Sequence, residues 1–127
     1  MRYLLDTHVV LWYAEDSLKL SDKAKNAIMN ENAEKYVSII SAWEIAIKLT
    51  KNQLTIDGGL SEYFRITDKN GFVTLPVERA HLNLIQTLSD YHKDPFDRLI
   101  IATAIAEKMT IITVDENIHK YNIPIIW

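Results

Sequence analysis

A chain of 127 residues, 48% hydrophobic and 24% charged, has the make-up of an ordinary folded protein, with length for one domain (residues 1–127) and not for two. The lack of cysteine excludes disulfides and thiolate metal sites. A net charge of −3 runs against the basic footprint usual in nucleic-acid binders, unless acidic side chains hold divalent cations that meet phosphate on the protein's behalf.

In chain order, RYLLD (residues 2–6) predicts a short strand entering a core. The apolar stretch around it is interrupted by Asp6 and His8 and lacks a charged leader and a small-residue cleavage site. It reads as neither signal peptide nor membrane span, and a cytoplasmic location is the expectation. Residues 8–15 predict a helix, and residues 21–30 a second one capped by Ser21. YVSII (36–40) is a β-branched run that predicts a strand, and residues 41–52 follow with helical periodicity, placing Trp43, Ala46, Ile47 and Thr50 on one face. Residues 59–70 predict a helix ending before Gly71, residues 72–75 a strand stopped by Pro76, and residues 77–88 another helix. Asp94-Pro95 then has the form of a helix start over 95–108, with the aspartate as N-cap, proline in the first position and Asp97 in the third. Residues 110–115 (TIITVD) and the IPIIW segment at 123–127 predict the last two strands. No repeat or Pro/Gly-rich linker divides the sequence.

Strands without clear polar alternation, separated by helices, imply a parallel sheet covered on both faces. Right-handed crossovers make this an α/β/α sandwich of three layers. Sites in such sheets form beyond the carboxyl ends of the strands. Four acids fall there: Asp6 after the first strand, Asp115 after TIITV, and Glu44 and Asp97 in the first turns of their helices. Each also has a structural account. Asp6 and Asp115 can be N-caps, Asp97 suits the positive end of a helix dipole, and Ser41-Ala42-Trp43-Glu44 has the spacing of a capping box. Jointly they repel one another unless cations or protons compensate, and oxygen-only donors suit magnesium or manganese. No HExxH or close histidine pair suggests zinc. Divalent ions in carboxylates are suited to phosphodiester hydrolysis by water, with no protein nucleophile.

LLDTHVVLW (4–12), SAWEIAIKLTKNQL (41–54) and HKDPFDRLIIATAIAEKMTIITVDENIHKY (92–121), with the spacing between them, resemble PIN-domain ribonucleases, specifically VapC-type toxins of bacterial toxin–antitoxin modules. The likeness runs over nearly the whole chain. It implies a PIN-like α/β/α fold and a Mg²⁺-dependent endoribonuclease, with Mn²⁺ as substitute, inhibited by a cognate antitoxin. It also implies a homodimer, and operator DNA bound only through the antitoxin complex. Matched by motif, Asp6, Glu44, Asp97 and Asp115 are the family's acidic quartet. Asp6 and Asp97 stand as its principal ligands, Glu44 as a further ligand or base-like residue, and Asp115 as acting through water.

Around the quartet, Thr7 and Thr113 can support the carboxylates by hydrogen bonds or be ordinary strand-end threonines. Arg98 can meet RNA phosphate or pair with Asp94, the surface ion pair being preferred. Asn117 can face water at the site or shape a turn, the turn being preferred. His8 can line the site or pack at a helix start, whereas His81, His92 and His119 read as surface or loop residues. Trp12 and Trp43 could stack on bases; beside aliphatic neighbours Trp43 reads as core. Lys48, Lys51 and Arg65 read as a solvated face. The competing functional account is a non-catalytic PIN-like binding module. An unrelated phosphatase or nucleotide-binding domain would need a Gly-rich phosphate loop, for which three glycines leave little material.

Overall fold

The computed structural model describes residues 1–127. Five short strands form one sheet in the order β3-β2-β1-β4-β5, and every pairing is parallel. They are β1 (Arg2–Leu5), β2 (Glu34–Ser38), β3 (Val73–Leu75), β4 (Thr110–Ile112) and β5 (Ile125–Ile126). Because side chains alternate across a strand, β1 feeds two cores. Tyr3 and Leu5 join Val37 and Ile112 beneath α1 (Thr7–Ala14), α2 (Asp22–Met29), α3 (Ile39–Thr50) and α4 (Gly59–Lys69). Leu4 and Ile111 join Ile100, Ile101 and Ala104 of α6 (Pro95–Glu107), with Ile118 of the 3₁₀ turn Ile118–Lys120. The seven-residue α5 (Arg79–Ile85) packs on α6. The result is the expected three-layer α/β/α sandwich. Ile100, Ile101 and Leu4 are fully buried, each burial contributing roughly 1.5–3 kcal/mol. No helix is long and apolar enough to cross a membrane.

The chain runs β1, β2, β3 toward one edge, then returns to β4 on the other side of β1. The reversal leaves a switch point between β1 and β4, where loops diverge and a crevice opens. Asp6 leaves β1 at this point, and Asp115 lies three residues beyond β4.

Several boundaries differ from the predicted ones for identifiable reasons. The β-branched pair Ile39-Ile40 is helical and not strand: the Ser38 hydroxyl accepts the Ile40 N–H at 3.1 Å and starts α3 early. Ser41 is therefore inside the helix, Glu44 moves from the first turn to the second, and no capping box forms there. β4 ends at Ile112 because the Thr113 hydroxyl accepts the Asp115 N–H at 3.0 Å and turns the chain. The predicted helix 77–88 contracts to Arg79–Ile85, its following carbonyls taken by Arg98. Ser21 and Asp94 are N-caps as predicted; Asp94 Oδ1 accepts from Phe96 N at 2.8 Å and Asp97 N at 3.1 Å.

Candidate metal centre

The four acids reach one place by four local devices. Asp6 holds extended backbone at the end of β1, and its Oδ1 accepts the Thr7 N–H at 2.8 Å as the cap of α1. Its Oδ2 accepts from the Thr113 hydroxyl at 2.7 Å, so the cap explains only half of the carboxylate. Glu44 projects from the second turn of α3, and Oε1 accepts from the Thr7 hydroxyl at 2.8 Å. Thr7 Oγ1 also lies 2.9 Å from the hydroxyl of fully buried Ser41. Asp97 stands third in α6 behind the Asp94-Pro95 cap. Asp115 sits in the loop after β4, where Oδ1 accepts the Asn117 N–H at 2.8 Å and closes a turn.

All four line one cleft of about 260 Å³, with Thr7, His8, Trp12, Lys48 and Asp94 also on its walls. Asp6 and Glu44 are nearly solvent-free, at 9% and 7% exposure. Burial pushes the Asp6 carboxyl above the usual range, and the Glu44 charge adds to this, against the lowering by the Thr113 and Thr7 hydrogen bonds. Burial likewise raises Asp97, to about 8, reinforced by the charges of Asp6, Asp94, Glu44 and Asp115. Asp115 is less buried; burial raises it, but hydrogen bonds from His92 and Asn117 prevail and hold it below the usual range. Only Glu44 has a lysine partner, Lys48 Nζ at 2.9 Å from Oε2. A crowded carboxylate group in which Asp6 and Asp97 resist ionisation is what a hard divalent cation stabilises, and the donors are all oxygen. The donor set fits magnesium or manganese and not a thiolate-loving metal.

The supporting positions separate clearly. Thr7 and Thr113 each hold a quartet carboxylate by their hydroxyls. Asn117 shapes the turn at Asp115 and lies exposed, its Oδ1 accepting from Lys120 Nζ. Arg98 does not pair with Asp94. Its guanidinium donates to the carbonyls of Ile85, Leu88, Ser89 and His92, with Asp90 at 3.7 Å as its nearest carboxylate.

Other residues depart from their sequence-based readings. Trp43 is not core: it is 59% exposed and meets Phe96 edge-on at 5.3 Å, because the face of α3 turned to the sheet runs through Ala42 and Ile45. Lys48 is not simply solvated, being tied to Glu44 and 3.4 Å from His8 Nε2. Lys51 and Arg65 remain on the surface. His8 lies at the cleft and stacks on Trp12. His119 is exposed as expected, but His81 and His92 are buried. His81 ties α5 to α6, with Nδ1 accepting from Glu78 N and Nε2 2.9 Å from Glu107 Oε1.

His92 is the site residue the sequence reading missed. Its Nε2 lies 2.8 Å from Asp115 Oδ2 and 2.9 Å from Asp97 Oδ2. Local pattern places it only in a polar segment before a cap, and the one available signal was its position two residues ahead of Asp94.

Known proteins share the sequence and the fold. At 31% identity over 128 residues, covering 95% of this chain and 92% of the relative, the sequence is similar to Ribonuclease VapC22 of Mycobacterium tuberculosis. In fold it is similar to a chain of VapBC2 from Rickettsia felis bound to a DNA fragment from their promoter, with TM-score 0.74 and 17% identity over 98% of this chain and 97% of that one. A chain of VapBC-1 from nontypeable Haemophilus influenzae is similar too, with TM-score 0.67 and 16% identity over 98% and 96%. The PIN domain model matches residues 3–124, essentially the whole sandwich, so this chain belongs to the PIN domain family.

Proposed function

We propose that this protein is a divalent-metal-dependent endoribonuclease, the toxin of a toxin–antitoxin module, kept silent by a cognate antitoxin. The observation that carries the reading is the meeting of Asp6, Glu44, Asp97 and Asp115 around one cleft at the β1/β4 switch point. The name ribonuclease on the 31%-identical relative supports RNA as the substrate class. Solved chains of the same fold described as VapBC, one with promoter DNA, support an antitoxin partner and DNA contact through the joint complex. A homodimer and a cytoplasmic location belong to the same proposal.

Magnesium or manganese held in the cleft supplies Lewis acidity for water attack at phosphorus and for departure of the leaving oxygen. Asp6 and Asp97 would hold the ion as principal ligands, Glu44 would serve as a further ligand or a base-like residue, and Asp115 would act through water. Thr113 orients Asp6 and Thr7 orients Glu44, so both carboxylates keep one rotamer before metal or RNA arrives. Lys48 offsets the Glu44 charge and stands where an incoming phosphate would pass the cleft wall. Wild-type protein is expected to cleave RNA with Mg²⁺ or Mn²⁺, stop on addition of EDTA, and lose activity in Asp97→Asn. Cleavage by a folded Asp97→Asn protein would remove the metal-site assignment. Growth arrest by wild type and not by Asp6→Ala separates catalysis from a pure binding role, and sequencing the RNA ends after brief induction identifies the target.

A further inference from the structure

We propose that His92 is the positioning residue of this cleft. Its Nε2–H donates to Asp115 and stands against Asp97 Oδ2, bridging the two carboxylates for the ion, and it does not ligate the ion itself. The inference rests on the proposed metal centre and adds to it a residue outside the acidic quartet.

The argument begins at the other ring nitrogen. His92 Nδ1 accepts the Asp94 backbone N–H at 3.2 Å, and an accepting imidazole nitrogen carries no proton. The ring proton is then on Nε2, the nitrogen that faces Asp115 Oδ2 at 2.8 Å and Asp97 Oδ2 at 2.9 Å. His92, Asp97 and Asp115 offer atoms within 4.8 Å of one another, a spacing that could be taken for a three-ligand metal site. The tautomer argues otherwise: a protonated nitrogen has no lone pair for a metal. What the geometry offers is a donor placed between two carboxyl groups, hydrogen-bonded to one and in contact with the other, where it sets their spacing.

The ring has little freedom to do anything else. His92 is 8% exposed; its backbone N–H donates to Tyr121 Oη at 3.0 Å, and its carbonyl accepts from Arg98 Nη1 at 3.1 Å. Tyr121 Oη in turn donates to the Ser89 carbonyl. Asp94 therefore acts twice, its side chain capping α6 beneath Asp97 and its backbone N–H choosing the tautomer that donates to Asp115. Arg98, one residue beyond Asp97, closes the arrangement by holding the histidine backbone.

The test is made on the full chain. In ¹⁵N-labelled wild type, histidine ring spectra should show His92 as the Nε2–H tautomer, and Mg²⁺ should leave Nε2 protonated. Mn²⁺ binding, followed by electron paramagnetic resonance, should weaken about 10- to 100-fold in His92→Leu, the usual effect of losing a partner that orients metal ligands. His92→Gln, which keeps an N–H donor, should recover much of that loss. An Nδ1–H tautomer, loss of the Nε2 proton on Mg²⁺ addition, or wild-type Mn²⁺ affinity in a folded His92→Leu protein would overturn the proposal. If His92→Leu does not fold, the wild-type spectra decide alone. Failure of the wild type to bind Mn²⁺ at all would instead remove the metal centre on which the proposal rests.

Discussion

Asp97 shows how one side chain can be legible as structure and still be chemistry. Its place behind Asp94-Pro95 suits the dipole of α6, but a dipole-stabilised carboxyl should titrate low, whereas this one is raised to about 8 by burial and by the neighbouring acids. The consequence for stability has a definite sign. A carboxyl whose folded pKa exceeds its unfolded value contributes stability that is present below the unfolded pKa and lost as pH rises through the folded one. The metal-free protein should therefore lose stability between about pH 4 and pH 8, with Asp6, also raised, acting in the same direction. Asp115, held low, acts oppositely and at more acid pH. Thermal melts in EDTA should show a fall from pH 6 to pH 9 that is shallower in Asp97→Asn; parallel curves would contradict the assignment. Because protons and divalent ions compete for the same oxygens, metal affinity should rise over the same interval.

Helix starts do much of the positioning at the level of elements. α1 and α6 begin with aspartates and α3 with a serine, and a quartet acid lies at or shortly after each start. Asp94→Ala should cost about 0.5–2 kcal/mol through the lost cap of α6. It should reduce RNA cleavage by more than that loss explains, because Asp97 loses the contact that fixes its backbone. Asp94→Ser should recover the melting temperature, and a serine variant as unstable as alanine would show that capping is not the main contribution. Arg98 illustrates the opposite case, a charged residue with a structural task. It satisfies carbonyls freed where α5 ends, so Arg98→Leu should destabilise by about 1–3 kcal/mol, measured by urea unfolding. A stability change near zero, with lost RNA affinity, would return Arg98 to the phosphate-binding role.

Across the whole molecule, the cleft depends on β1 lying between two cores. Tyr3 and Leu5 anchor it on the α1–α4 side and Leu4 on the α6 side, so the end of β1 where Asp6 stands is fixed from both faces. Ile100, fully buried on the sheet-facing side of α6, should cost about 2–5 kcal/mol when changed to alanine, read from chemical denaturation. The metal affinity of the folded fraction should change little, since Ile100 does not line the cleft. A large loss of affinity in folded Ile100→Ala would mean that α6 shifts as a body and carries Asp97 with it.

The linear sequence by itself determined the alternation of strands and helices, the caps at Ser21 and Asp94, and the placement of four acids at one edge, since these follow from periodicity, capping chemistry and the geometry of parallel sheets. It did not determine the start of α3. Residues 36–40 have strand propensity throughout, and the choice fell to the Ser38 cap and the packing of Ala42 and Ile45 against the sheet. With that start Ser41 is no cap, and because Ala42 and Ile45 face the core, Trp43 lies outward while Glu44 accepts from Thr7. Nor could local pattern reveal His92 between Asp97 and Asp115, for the latter contact spans 23 residues and exists only once β4 lies beside β1. Propensity is local; a hydrogen bond closed by a neighbouring strand is not, and that is why the four acids were legible and the histidine bonded to Asp115 was not.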